Sequence, residues 1–367
     1  MKRLLRHAGQ VLPALLALGL AAFVLRSADL SRVLALVGSL GWQLPLLLLP
    51  NLAVTLIEAV AWWRSFGLLG ARPRFASLVG VRVVVEAVML GLPSGAVISE
   101  SLQPWLLKRH CGVPFETAVV ASVGRKFFVV VSHGLVLALA TLATWPLLAR
   151  VSRETIGRPG LPWLLLGTAF FMIATFGFGL ALSGRARVAQ RTRRGLDRVG
   201  GRWLGSWLER NAPRFQRADD HLLQFFEKER GALVPPMLLY SAGWVVRGVE
   251  TWVFLHLLGA DVPFLTALVV ETAIIVVRSV AVPVPAGLGV QDVGYVLCLR
   301  ALGVPDATTV GTAFVLLKRA KDLFWILVGF ALAVPQGSLG PAGGRAMREP
   351  ASAPSSTSAE TAIRRSP

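Results

Sequence analysis

Cysteine is nearly absent: Cys111 and Cys298 are the only two in 367 residues, which rules out a disulfide framework. Charge is also sparse, at 16% of residues, and acids are the scarcer sign, with 20 Asp and Glu against 38 Lys and Arg. The five histidines, His7, His110, His133, His221 and His256, are scattered without metal-ligand spacing, so no metal or cofactor is expected. There is no P-loop and no Gly-x-Ser-x-Gly. Gly287-Leu288-Gly289 lacks the strand and helix that a nucleotide fingerprint requires. Asp219-Asp220 is the one adjacent acid pair, without the second aspartate group of a metal-diphosphate enzyme. These absences argue against an enzyme.

Apolar sequence is abundant. Hydrophobic residues make up 54% and the mean hydropathy is +0.63, with several runs near the ~20 residues that a helix needs to cross a bilayer. Backbone groups in lipid must be satisfied internally, and these runs lack the alternation of barrel strands, so an all-α polytopic membrane protein is expected. The net charge of +18 sits largely in one loop and the tail, where anionic lipid is the expected partner rather than nucleic acid.

In chain order, spans are expected near residues 9–26, 42–63, 116–146, 161–183, 232–257 and 307–334. The first, behind Met1-Lys2-Arg3, imitates a signal peptide but has no convincing cleavage site. Two further runs, 75–105 and 264–302, are interrupted by Pro and Gly and read as re-entrant helical hairpins. The count is thus about six full spans and two hairpins, or eight spans if the breaks are only kinks. Residues 1–184 hold the first repeat and the fourth span, and 185–230 form a basic amphipathic cytoplasmic segment. Residues 231–335 form the second half, and 336–367 a disordered tail.

The two broken runs say the same thing. Pro93 matches Pro285, Gly95 matches Gly287, Glu100 matches Asp292, and Gly112-Val113-Pro114 matches Gly303-Val304-Pro305; Gly289 completes the second break. With Arg64, Arg72, Arg74, Lys108, Arg109 and the 185–230 segment inside, both termini are cytoplasmic, and only Arg150, Arg153 and Arg158 fall on the wrong side. The hairpins then enter from opposite faces, as an inverted repeat whose site lies near the midplane.

Buried charge gives that site its residues. Arg125 and Lys126 in one span, and Lys318, Arg319, Lys321 and Asp322 in another, lie roughly 15 Å from their helix starts, where a cation must face a partner, a cavity or a ligand. Arg125, Lys126, Lys318 and Arg319 are candidates to hold an anionic headgroup. Glu100 and Asp292 are either helix-terminal carboxylates or protonatable acids. Glu58 and Glu250 in the spans and Glu271 in the second broken run are further acids, and Glu86 aligns with Arg278, which points to a pair bridging the halves. Register-fixing ion pairs are the competing account of all these charges. For His133, a hydrogen bond to a backbone carbonyl is expected.

The Pro-x-Gly break with its acid and Gly-Val-Pro end, repeated as Val-Pro-Ala-Gly-Leu-Gly-Val-Gln-Asp with Leu-Gly-Val-Pro, resembles the transmembrane region of lysylphosphatidylglycerol synthases, over about residues 10–335. Glu100-Ser101-Leu102-Gln103-Pro104 with Arg125-Lys126 is most similar to the branch beside hopanoid biosynthesis genes. The resemblance implies lipid translocation in a bacterial inner membrane, without the soluble lysyl-transferring domain of the long members. The second half often has Glu where Asp292 stands here, and the acid-arginine pair usual near Arg125-Lys126 is not reproduced. Membrane lipids are the expected partners, with lipid-biosynthesis enzymes if the protein is a scaffold. A membrane enzyme acting on prenyl or glycosyl lipid is the third reading.

Overall fold

The computed structural model describes residues 30–92, 94–185, 230–280 and 287–333. The expected first span, the basic segment, the tail, Pro93 and Pro285 lie outside them. Every described element is helical: α1 Leu30–Ser39, a 3-10 helix Gly41–Leu48, α2 Leu49–Leu68, α3 Phe75–Gly91, α4 Gly95–Cys111, α5 Phe115–Ala143 and α6 Trp145–Ile156. Then come α7 Leu161–Arg185, a 3-10 turn Arg230–Leu233, α8 Val234–Leu257, α9 Phe264–Val280, α10 Val290–Ala301 and α11 Ala307–Ala333.

Proline and glycine set the boundaries. Pro50, Pro146 and Pro235 lie in the first turns of α2, α6 and α8, where a missing N–H costs nothing. Gly112 and Gly157 end α4 and α6 in the left-handed conformation. The first break works differently from the expected glycine turn. Ser94 takes the positive φ of 55°, and Gly95 is needed because a Cβ there would run into the Val88 and Met89 carbonyl oxygens.

Among the described residues, three segments are long and apolar enough to cross a membrane: Gly41–Leu68, Phe115–Ala143 and Gly231–Leu257. A fourth qualifies if Trp145–Ile156 and Leu161–Thr175, bent by 117°, count as one. α11 is long enough at 27 residues but carries Lys318, Arg319, Lys321 and Asp322. α3 and α4, at 17 residues each, are roughly 25 Å long. The stretch expected as a loop with Arg150 and Arg153 is helix α6: it buries Leu148, Ala149 and Val151 and exposes both arginines. Trp145 at the start of α6 and Trp163 near the start of α7 meet edge to face, a pairing suited to the membrane-water boundary.

Packing repeats between the halves. α2 touches α3 and α5 as α8 touches α9 and α11; α4 joins α3 to α5 as α10 joins α9 to α11. Across the halves, α3 packs on α11, α9 on α5, and α2 on α8. α2 and α8 run antiparallel: Glu58 faces Gly243 and Arg247, while Gly67 and Leu68 share a cleft with Ala232 and Pro235. Close crossing needs small residues. A Cβ on Gly329 of α11 would collide with Ala87 of α3, and one on Gly248 of α8 with Leu268 of α9. Trp62, Phe66, Phe128, Tyr240, Phe254, Tyr295 and Phe314 are fully buried, while Leu139, Trp163, Phe170 and Phe171 face outward, as a lipid-solvated bundle allows.

Candidate functional site

Glu58 of α2 is the hub of the first charge group. Its carboxylate accepts from Arg82 of α3 at 2.8 Å and Arg247 of α8 at 3.0 Å, and Arg125 of α5 lies 3.8 Å away. Arg82 also meets Glu86 one turn along α3 at 3.0 Å. Arg125 donates to Gln103 Oε1 at 3.4 Å and lies over the Trp62 ring. Three arginines against Glu58 and Glu86 leave one positive charge in excess. Several buried donors here, Gln103 Nε2, Arg125 Nε, Arg247 Nε and the Tyr240 hydroxyl, have no hydrogen-bond acceptor among the described residues.

The second group belongs to α11. Lys318 donates to Glu271 of α9 at 2.7 Å and lies 3.4 Å from Glu250 of α8, while Lys321 binds Glu250 at 2.7 Å. Glu271 also accepts from Tyr295 at 2.6 Å and Thr251 at 2.5 Å. Arg319 reaches Asp292 of α10 at 2.6 Å and Asp322 at 3.7 Å, and Asp322 touches Lys321 at 3.4 Å. Three cations pair with four acids here, and Arg278 of α9, within electrostatic reach of Asp322, balances the fourth acid, so this group carries no excess like that of the first. α8 couples the two, since it sends Arg247 into one and Glu250 and Thr251 into the other. An unpaired charge at such depth would cost about 2.5–3.5 kcal/mol even on a lenient scale, which is why these groups pair.

A third pair stands apart. Lys126 of α5 donates to Glu100 of α4 at 2.9 Å, with side chains 47% and 36% exposed; Arg319 and Asp292, its counterparts, are 19% and 8% exposed.

A family model described as lysylphosphatidylglycerol synthase TM region matches residues 10–329. The chain belongs to that family. No curated protein matches it. The matched stretch takes in both halves and all three charge groups, so this lysylphosphatidylglycerol synthase TM region carries its charged residues within the membrane part itself. It is a helical, membrane-spanning, lipid-related domain.

The residues expected at the site separate into distinct places. Lys318 and Arg319 converge on one group, Arg125 joins the Glu58 group, and Lys126 with Glu100 forms the outward pair. Asp292 serves two partners, accepting the Gly289 N–H at 2.8 Å as a cap while holding Arg319. Glu100 is not a cap, because no acid lies in the first turn of α4. The expected Glu86–Arg278 bridge does not form. Glu86 is taken by Arg82 on its own helix, and the Arg278 chain lies over Gly287, with no ion-pair partner within 4.0 Å among the described residues. Positions equated by a repeat are equivalent, and they touch only if they lie on the axis relating the halves. Gly287 and Gly289 hold φ of 65° and 76°, the left-handed turn expected of the second break. His133 hydrogen-bonds the Thr272 carbonyl at 2.9 Å and stacks on Trp244.

The central role of Glu58 was missed by reasoning from basic clusters. A signal was available, since the offset carrying Pro93 onto Pro285 also carries Glu58 onto Glu250. Tyr295 and Thr251 had no such signal. A cleft of about 470 Å³ lies away from these charges, with Arg64, Arg72, Trp63 and Pro236 in its lining.

Proposed function

We propose that this chain is a flippase-like lipid transporter of a bacterial inner membrane, translocating or presenting a lipid of anionic, polyprenyl or hopanoid type through a mid-depth charged site. The proposal includes no covalent step and no cofactor; membrane lipids are the partners and both termini are cytoplasmic. One observation carries the reading: each half brings an acid from the long helix before its broken run and an acid from behind its break to two adjacent cations. In the first half Glu58 and Glu100 face Arg125 and Lys126; in the second Glu250 and Asp292 face Lys318 and Arg319.

Further support comes from direction. α2 and α8 occupy corresponding places in the two halves and run antiparallel, as an inverted repeat requires. Such repeats alternate access by rocking one half against the other around a fixed site, and paired charges that exchange partners suit that motion. The transport test replaces Arg125, Lys126, Lys318 and Arg319 singly and follows lipid translocation in reconstituted vesicles. Loss of transport with assembly intact supports the reading, and normal rates in all four variants would sink it.

A second reading has its own observation. Each of the four cations already has a carboxylate within 4.0 Å, which favours a non-transporting scaffold for lipid-synthesis enzymes, held in register by ion pairs. Under that reading Lys126→Ala and Lys318→Ala lower stability but leave the output of the partner enzymes in proportion to the amount of folded protein.

A further inference from the structure

The outward pair Glu100–Lys126 lies in an unfavourable place for a surface salt bridge. Glu100 is about 11 residues before the end of α4 and Lys126 about 11 residues after the start of α5, so both stand roughly 16 Å above the Gly112 turn. Exposed residues close to them in the chain include Val97, Ile98 and Val123, side chains suited to acyl chains, with Ser101 as an exposed polar one. The two half-exposed charges neutralise each other at 2.9 Å, yet lipid tails can meet none of their remaining hydrogen-bonding positions, so a polar occupant beside them is favoured.

Immediately inward lie the unsatisfied donors. Gln103 is one turn on from Glu100 and fully buried; Arg125 adjoins Lys126 and is 9% exposed; the two side chains touch at 3.4 Å. Gln103 Nε2 and Arg125 Nε have no acceptor among the described residues. The order from outside to inside is therefore a carboxylate and an ammonium, then two buried N–H donors beside a group with excess positive charge.

We infer that α4 and α5 form a lateral site for a dipolar phospholipid headgroup, with its ammonium on Glu100 and its phosphate drawn toward Lys126, Arg125 and Gln103. The inference rests on the lipid-handling reading above and narrows it from lipids in general to headgroups carrying both charges. A phosphate with no ammonium would leave Glu100 facing an anion, and like-charge contact is a means of rejecting a wrong ligand. Val97, Ile98 and Val123 offer the acyl chains an apolar face beside the pair. The Arg319–Asp292 pair of the second half is less exposed, at 19% and 8%, so the first half offers a ligand the more open pair.

The test uses the purified full chain in detergent, with phosphatidylethanolamine and phosphatidylglycerol of matched acyl chains as competing probes and native mass spectrometry as the readout. The expected result is retention of phosphatidylethanolamine at least about tenfold over phosphatidylglycerol, a ratio worth about 1.4 kcal/mol. Glu100→Gln should bring that ratio near one. The double exchange E100K/K126E, which keeps both charges at the site, should still prefer the dipolar lipid over Glu100→Gln. Equal retention by the parent protein, or an undiminished preference in Glu100→Gln, overturns the inference. Translocation is read separately in vesicles of the two lipids. Selective retention without translocation overturns the transport reading and leaves the site; translocation of both lipids at one rate with no selective retention overturns the site and leaves transport.

Discussion

Arg319 donates to Asp292 at 2.6 Å across 27 residues of chain, and Lys126 donates to Glu100 at 2.9 Å across 26, so each half builds the same pair between its broken helix and its last long helix. The two pairs differ in surroundings: the second is more enclosed, at 19% and 8% exposed, and the first looks outward, at 47% and 36%. Because the pairs are chemically alike, the difference reflects how each half is closed rather than what it is made of.

Glu58 should be the least replaceable acid in the chain. Glu58→Gln leaves Arg82, Arg125 and Arg247 with Glu86 as their only close carboxylate among the described residues, an uncompensated buried charge costing about 3–5 kcal/mol. Unfolding of the purified variant in mild detergent measures the loss. A change under about 1 kcal/mol would show that the hub is dispensable.

Asp292 can be divided into its two roles. Asp292→Asn keeps an acceptor for the Gly289 N–H and loses the charge facing Arg319, whereas Asp292→Ala loses both. Alanine should be less stable than asparagine by about 1 kcal/mol, the usual worth of a cap. Equal stabilities would assign the residue to Arg319 alone.

Two glycines should respond with opposite signs. Gly95→Ala places a methyl group against the carbonyls of Val88 and Met89 and should cost about 1–3 kcal/mol. Gly167→Ala, inside α7 with nothing within 4 Å, should gain up to about 1 kcal/mol from helix propensity. Thermal unfolding of both variants under one condition decides, and a common sign would contradict the packing of the first break.

Topology is accessible to labelling. With Cys111 and Cys298 replaced by serine, both being free thiols, single cysteines at Arg109 and Arg300 report on the ends of α4 and α10. An impermeant maleimide should reach Arg109→Cys from the cytoplasm and Arg300→Cys from outside. Modification of both from one face would remove the inverted arrangement.

Much of this was legible in the chain. The helical class follows from apolar runs that must satisfy their own backbone in lipid, and the helix boundaries from Pro and Gly, which act locally on φ and on the N–H donor. The repeat was visible because Pro93-to-Glu100 and Pro285-to-Asp292 keep the same residue types at the same spacing. The family followed from those same residues.

The partners of the charges were decided elsewhere. Glu58 is 24 residues from Arg82 and 189 from Arg247, and neither spacing carries any local signal that they meet. An alignment of the repeats joined Glu86 to Arg278, but packing turned Glu86 to Arg82 and Arg278 to Gly287, because helix rotation and crossing choose which faces touch. Sequence thus determined which residues carry charge into the membrane and how far along each helix they lie. Only the tertiary structure determined which of those charges neutralise one another, and that Glu100 and Lys126 face outward while Asp292 and Arg319 face in, since pairing depends on helices brought together from distant parts of the chain.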